Sequence, residues 1–208
     1  MELRERFGEI DIYLFDQLLR GRIDRAAKIL DAGCGGGRNL VYLLREGYEV
    51  YGVDHDRLAI EGVRRMAATL APTLPAANFQ AAKLEDIPRP DEFFDVVICN
   101  AVLHFAADDQ QFRAILDGMW RKLRRGGMLY CRLASSIGIE KKVQWLTGRR
   151  GVSADGSERY LVDVDLLEKL TTELNAELLD PIKTTVVQYQ RSMTTWVVRK
   201  DTKITKGG

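Results

Sequence analysis

Apolar residues along this 208-residue chain change their period several times, and each change marks an element. Ile10, Leu14 and Leu18 recur every four residues and Gly21 follows, predicting an amphipathic helix over 9–20 with a C-terminal stop. AKILD (27–31) is a short apolar run entering a glycine cluster, and RNLVYLLRE (38–46) has helical spacing with Gly47 to close it. YEVYGVD (48–54) predicts a strand and RLAIEGVRRMAATL (57–70) a helix, with Pro72 and Pro75 as punctuation. Strands are expected at 78–83, 93–99 and 127–133, with a helix between the last two, from near Asp108 to before Gly126-Gly127.

Strand and helix thus alternate with short connections, which favours a mostly parallel sheet with helices on both faces. After residue 134 the rhythm breaks. Residues 135–160 are rich in Ser, Gly and charge and are expected as a long loop or irregular insertion, placed as a lid. A helix over 163–175 follows, then β-rich runs at 182–189 and 193–199, separated only by Gln190-Arg191-Ser192 and so expected to pair as a hairpin. The whole of 1–208 is expected as one domain, with 1–26 as an N-terminal cap region and a frayed polar tail at 201–208.

Composition narrows the function classes. Lys and Arg number 31 against 30 Asp and Glu, so no global field attracts nucleic acid or a membrane surface. No apolar run is long enough to span a bilayer, and charges interrupt the N-terminus where a secretory signal would be apolar. Cys34, Cys99 and Cys131 are too scattered for a disulfide framework or a metal site, and a cytoplasmic location is expected.

The chemistry lies in ILDAGCGGGRNL (29–40), a strand running through closely spaced glycines into a helix. Such a turn lets a ligand approach the backbone, with helix N–H groups facing it. A dinucleotide fingerprint using Gly33 and Gly35 would need glycine or alanine at position 38, where Arg38 stands. No phosphate-binding G-x-x-x-x-G-K-[ST] loop occurs either. What stands here is D-x-G-x-G-x-G from Asp31 to Gly37, and the second strand ends in Asp54, placed to accept from ribose hydroxyls. Together they describe an adenosine site without a pyrophosphate site. The bland alternative makes Asp31 a turn cap and Asp54 a solvated strand end.

LDAGCGGGRNLVYLLREGYEVYGVDHD resembles the cofactor-binding half of class I methyltransferases, and more narrowly bacterial tellurite-resistance-type and related small-molecule methyltransferases. LEDIP (84–88), FDVVICNAVLHF (94–105) and LRRGGMLY (123–130) continue the pattern, so the resemblance covers about residues 28–134. It implies a Rossmann-like α/β fold with a seven-stranded sheet of order 3-2-1-4-5-7-6, strand 7 antiparallel. It also implies S-adenosylmethionine as methyl donor, with S-adenosylhomocysteine as product. Carried over position by position, Gly33 and Gly35 approach the cofactor, Asp31 orients its amino group, and Arg38 pairs with its carboxylate. Asp54 holds the ribose, His55 lies against the adenine, Leu84 donates its N–H to the adenine ring, and Asn100 and Ala101 flank the methionine moiety. One position departs: the acid expected near the adenine amino group falls on Lys83, and Glu85 is the substitute.

Methyl transfer from a sulfonium needs alignment and exclusion of water more than a catalytic group. His104, following the fourth strand, is the one base worth naming; a hydrogen-bonded histidine is the bland reading. Arg121, Lys122, Arg124 and Arg125 crowd a predicted helix end, where the dipole favours cations. Lys141, Lys142, Arg149 and Arg150 surround Trp145, a mix that either serves a polyanion or forms a solvated lid with the Trp inward. Tyr13 and Phe15 of the first helix either cover the cofactor or pack as core. The leading expectation is methyl transfer to a small molecule. The competing classes are an RNA or protein methyltransferase, a non-enzymatic cofactor-binding module, and an NAD oxidoreductase, the last disfavoured by Arg38.

Overall fold

The computed structural model describes residues 2–202; of the tail expected to fray, 203–208 lie outside the described residues. Two short helices lead, α1 (Leu3–Phe7) and α2 (Ile12–Leu19). The alternation follows as β1 (Lys28–Ala32), α3 (Leu40–Arg45), β2 (Glu49–Asp54), α4 (Arg57–Leu70), β3 (Phe79–Ala81), β4 (Phe94–Asn100), α5 (Asp109–Lys122) and β5 (Leu123–Ala134). Then come β6 (Gln144–Thr147), β7 (Arg150–Val152), β8 (Glu158–Tyr160), α6 (Val164–Glu173), β9 (Ala176–Leu178), β10 (Lys183–Val187) and β11 (Arg191–Lys200). Aspartate starts four of the helices: Asp11, Asp56, Asp108 and Asp163 each accept from backbone N–H groups of α2, α4, α5 and α6.

The main sheet runs β10-β11-β5-β4-β1-β2-β3. β1 pairs in parallel with β2 and β4, as do β2 with β3 and β4 with β5, whereas β11 is antiparallel to β5 and β10. This is the order the resemblance implied, with β10 and β11 in the sixth and seventh places. An eighth strand was not foreseen: β9 pairs antiparallel with Val198–Lys200, beyond the stretch of β11 that β10 covers. Its three residues are all at least partly exposed, so they carry no readable period.

Residues 135–160 depart from the expected irregular loop. β6, β7 and β8 form a separate three-stranded antiparallel sheet. All four residues of β6 are exposed, so no alternation of apolar and polar positions announces the strand.

Both faces of the main sheet are covered, which is why its strands are nearly continuous apolar runs. Leu30, Val97, Cys99, Leu129 and Cys131 belong to the core packed under α5 and α6. Ile29, Val50, Val96, Ile98 and Tyr130 belong to the core on the opposite face, with α2, α3 and α4. The period of two along β1 and β4 therefore divides each strand between two cores. All three cysteines are free and buried, with Cys99 opposite Cys131 in the β4–β5 register. Among the described residues no helix is long and apolar enough to cross a membrane.

Candidate functional site

The sheet order reverses between β1 and β4, and the carboxyl ends of these strands open on a crevice, the usual place for a ligand in such sheets. The turn after β1 lies there. Gly33 (φ 76°) packs its backbone so closely on Val102 that a Cβ would come within 2.5 Å of a methyl group. At Gly35 (φ 49°) a Cβ would meet nothing within 4 Å, so its backbone faces open space. The turn is fastened to β2: Gly33 and Cys34 N–H groups both donate to the Val53 carbonyl, at 2.7 and 3.1 Å. Gly35 N–H donates to Asp54 Oδ2 at 2.8 Å, while Oδ1 accepts from Asp56 N–H at 2.9 Å.

Over this turn is a cavity of about 610 Å³, lined by seven of the residues that the sequence singled out as cofactor-binding, Gly33, Gly35, Asp54, His55, Leu84, Glu85 and Ala101. Lys83 lines it as well, beside Glu85. The 84–86 turn is seated by a residue the sequence reading passed over: Gly118 in mid-helix lets α5 approach until a Cβ would lie 2.2 Å from the Leu84 carbonyl oxygen. A glycine inside a helix is the signal that could have found it. Val102, Phe105, Gln111 and Ile115 complete the wall and were also not foreseen.

Asp31, Arg38 and Asn100 do not line this cavity. Asp31 is buried, and its Oδ2 has no hydrogen-bond partner. Burial pushes its carboxyl up to about 7; Arg38 works against that rise and Asp54 with it. Arg38, expected to face a ligand carboxylate, instead donates through Nη2 to Asn100 Oδ1 at 3.0 Å, which leaves Asn100 Nδ2 buried and unpartnered. Ala101 adopts φ 63°, a left-handed conformation costing about 1–3 kcal/mol in a residue other than glycine. Its N–H donates to the Arg132 carbonyl at 2.7 Å, which holds the turn after β4 against β5.

A second cavity, of about 300 Å³, shares Ala101 with the first. It is lined by His104, Arg132, Ser153, Asp155, Arg159 and Arg191, among others, so the 135–160 insertion supplies part of its wall. His104 is buried, and its Nδ1 accepts from Ala134 N–H at 3.1 Å. Burial lowers its pKa to about 4, with Arg159 acting in the same sense. A neutral imidazole whose Nδ1 accepts carries its proton on Nε2. Nδ1 is thereby occupied, and Nε2 is the nitrogen left to meet a ligand.

Arg132 is anchored by Asp11, which the sequence reading did not single out. Asp11 accepts from Tyr130 Oη at 2.8 Å, from Arg132 Nη1 at 2.9 Å and from Tyr13 N–H at 3.0 Å. It thereby ties the start of α2 to the end of β5. Tyr13 follows, its hydroxyl 2.8 Å from Thr185 Oγ1 and its ring 5.2 Å from the Arg132 guanidinium. Phe15 packs instead with Phe7 and Tyr42, centroids 5.1 and 5.7 Å away.

Six of the eight residues of the basic clusters form ion pairs with acids, and Lys142 lies 5.5 Å from the Tyr189 ring. Lys122 and Arg121 meet Asp91 at 2.8 and 3.6 Å, Arg124 meets Asp95, and Arg125 meets Glu92 at 3.4 Å. Arg149 pairs with Asp163 at 2.8 Å and Arg150 with Glu158. Trp145 is 47% exposed and does not pack inward.

Comparison with known proteins agrees with this architecture. A family described as "Methyltransferase domain" matches residues 30–131. A ubiquinone biosynthesis O-methyltransferase of Mesorhizobium japonicum is 31% identical over 206 residues, spanning 91% of this chain and 77% of the relative. Among solved structures, a Burkholderia thailandensis 1,6-didemethyltoxoflavin-N1-methyltransferase, crystallised with 1,6-didemethyltoxoflavin and S-adenosylhomocysteine, has a TM-score of 0.69 at 20% identity, over 93% of this chain and 80% of its own. The [4+2]-cyclase SpnF reaches a TM-score of 0.73 at 16% identity, over 92% of this chain and 82% of its own. These two show the fold alone, and a cyclase among them illustrates that this fold serves more than one chemistry. The relatives named here include none of the tellurite-resistance type, so that subgroup is not shown. The likeness in sequence to the O-methyltransferase goes further than fold: this chain belongs to the class I S-adenosylmethionine-dependent methyltransferases.

Proposed function

We propose that this methyltransferase acts on a small molecule, with S-adenosylmethionine over the glycine turn and the acceptor in the second cavity. The observation that carries this reading is Ala101, which stands in the wall of both cavities, so that their contents meet there.

The residues lining the first cavity, with Asp31 of β1 and Asn100 at the end of β4 beside it, fit the cofactor. Asp31 Oδ2 is a buried acceptor without a partner and suits an ammonium group; Asn100 Nδ2 is a buried donor without a partner and suits a carboxylate. Asp54 already accepts two backbone N–H groups, and an ionised carboxylate has lone pairs left for ribose hydroxyls. Leu84 and Glu85 offer a wall for the adenine, and Glu85 supplies the acceptor that Lys83 lacks.

When bound, the cofactor supplies a methyl group on a positively charged sulfur that departs as a neutral thioether. What remains for the chain is to align the acceptor and keep water out. Ala101 stands between the two spaces, and the insertion together with Thr185, hydrogen-bonded to Tyr13, walls the acceptor side. His104 is read as a donor that positions the acceptor, because its free nitrogen carries a proton.

Protein incubated with methyl-tritiated S-adenosylmethionine and a cell extract tests this, after separation of the extract by size. Label is expected in the small-molecule fraction. Label confined to RNA or protein would overturn the small-molecule reading.

A further inference from the structure

The second cavity is rich in donors and poor in acceptors. Three guanidinium groups line it, Arg132 from β5, Arg159 from β8 and Arg191 at the start of β11, against one carboxylate, Asp155. Its Oδ1 accepts from Ser157 N–H at 3.0 Å and from Ser157 Oγ at 2.6 Å, and its charge also acts on Arg191 and Arg159, so one acid is set against three cations. Arg132 is fixed by Asp11 at Nη1, yet its Nε is buried with no hydrogen-bond partner. His104 contributes a donor at Nε2, as argued above.

Like charges gathered in a confined, partly desolvated space repel one another unless an anion joins them. Guanidinium forks match the geometry of carboxylate and phosphate oxygens better than any other side chain. Arg121, Lys122, Arg125 and Arg149 outside the cavity each meet an acid directly, whereas the three cavity arginines share a single lining carboxylate. A volume of about 300 Å³ suits a ring-sized molecule.

We propose that the methyl acceptor carries a carboxylate or phosphate group, held by Arg132, Arg159 and Arg191. This rests on the reading that the second cavity takes the acceptor, and it adds the acceptor's chemical class.

Protein saturated with S-adenosylhomocysteine, so that the first cavity is filled, should be titrated with benzoate, phenyl phosphate and the neutral benzamide, followed by NMR. At least one anion is expected to bind about tenfold or more tightly than benzamide. Arg159→Gln and Arg191→Gln should each weaken that anion by about threefold or more and leave affinity for S-adenosylhomocysteine within about twofold. The stronger of the two anions identifies the group. Equal binding of benzamide, no binding of either anion, or unchanged anion affinity in both variants would each overturn the proposal. So would a single-stranded oligonucleotide binding where the small anions do not. Failure of wild-type protein to bind S-adenosylhomocysteine strikes the cofactor assignment instead, and label in macromolecules strikes the small-molecule reading, so the three failures are distinguishable.

Discussion

Over the glycine turn the wall is made of glycine backbone, carboxylate and apolar side chains, drawn from strand ends and α5 between residues 33 and 115. On the far side of Ala101 it is made of guanidinium and hydroxyl, drawn from β5, the insertion, β10 and β11. The first wall follows from the sheet: any chain that turns glycine-rich out of β1 and ends β2 in an acid produces it. The second depends on where distant segments fold back. One fold can therefore keep its donor and change its acceptor by altering the second set alone.

Truncating the anchor of the second wall should have the largest effect. Asp11→Ala leaves the half-buried Arg132 without its counter-charge and is expected to cost about 3 kcal/mol of folding stability, measured by urea unfolding. Burial alone would raise the Asp11 carboxyl, but the Tyr130 hydroxyl and the Arg132 charge outweigh it and hold the group below the usual range. Its contribution is accordingly present above the unfolded value near 4 and lost as pH falls through the lower folded value. A variant as stable as the wild type would show the second wall does not rest on this aspartate.

Asp31 behaves in the opposite sense. Its carboxyl is raised to about 7, so the folded state holds a proton that the unfolded chain gives up near 4. Stability of the protein without cofactor should fall as pH rises from about 4 to 7, and Asp31→Asn should recover about 2–4 kcal/mol at pH 8. The same substitution should weaken S-adenosylhomocysteine, because a neutral amide replaces the partner of the ammonium group. A variant neither more stable nor weaker in binding would sink the role given to Oδ2.

Asp54→Ala is expected to weaken cofactor affinity by about 1–3 kcal/mol in calorimetry, through unpaired ribose hydroxyls and a Gly35 N–H cut loose. The smallest effect belongs to His104. With its pKa lowered to about 4, the ring stays neutral across pH 6–8, so the pH profile of turnover should show no limb that disappears in His104→Gln. Loss of such a limb would restore the base.

Much of the first wall could be read in advance because local chemistry dictates it. Asp31, Gly33, Gly35 and Asp54 stand within 24 residues, and the parallel pairing of β1 with β2 brings them together. For Arg38, nothing in the sequence shows that Asn100, 62 residues later, accepts from its guanidinium. Asp11 and Arg132 meet across 121 residues, a pairing no period or motif encodes. β6 and β9 escaped notice because strands that bury no continuous face leave no alternation. Ala101 could not be recognised as left-handed, because alanine carries no mark of that conformation.

The three buried thiols make this protein its own gauge of breathing. Cys34 sits in the glycine turn after β1, and burial, helped by the nearby Asp31 and Asp54 charges, keeps its sulfur protonated. Cys99 and Cys131 lie side by side in the centre of the sheet. An alkylating reagent can reach the first only when the turn lifts, and the other two only when the strands part. Timing the three modifications by mass spectrometry would thus separate local loosening at the donor pocket from rupture of the whole framework.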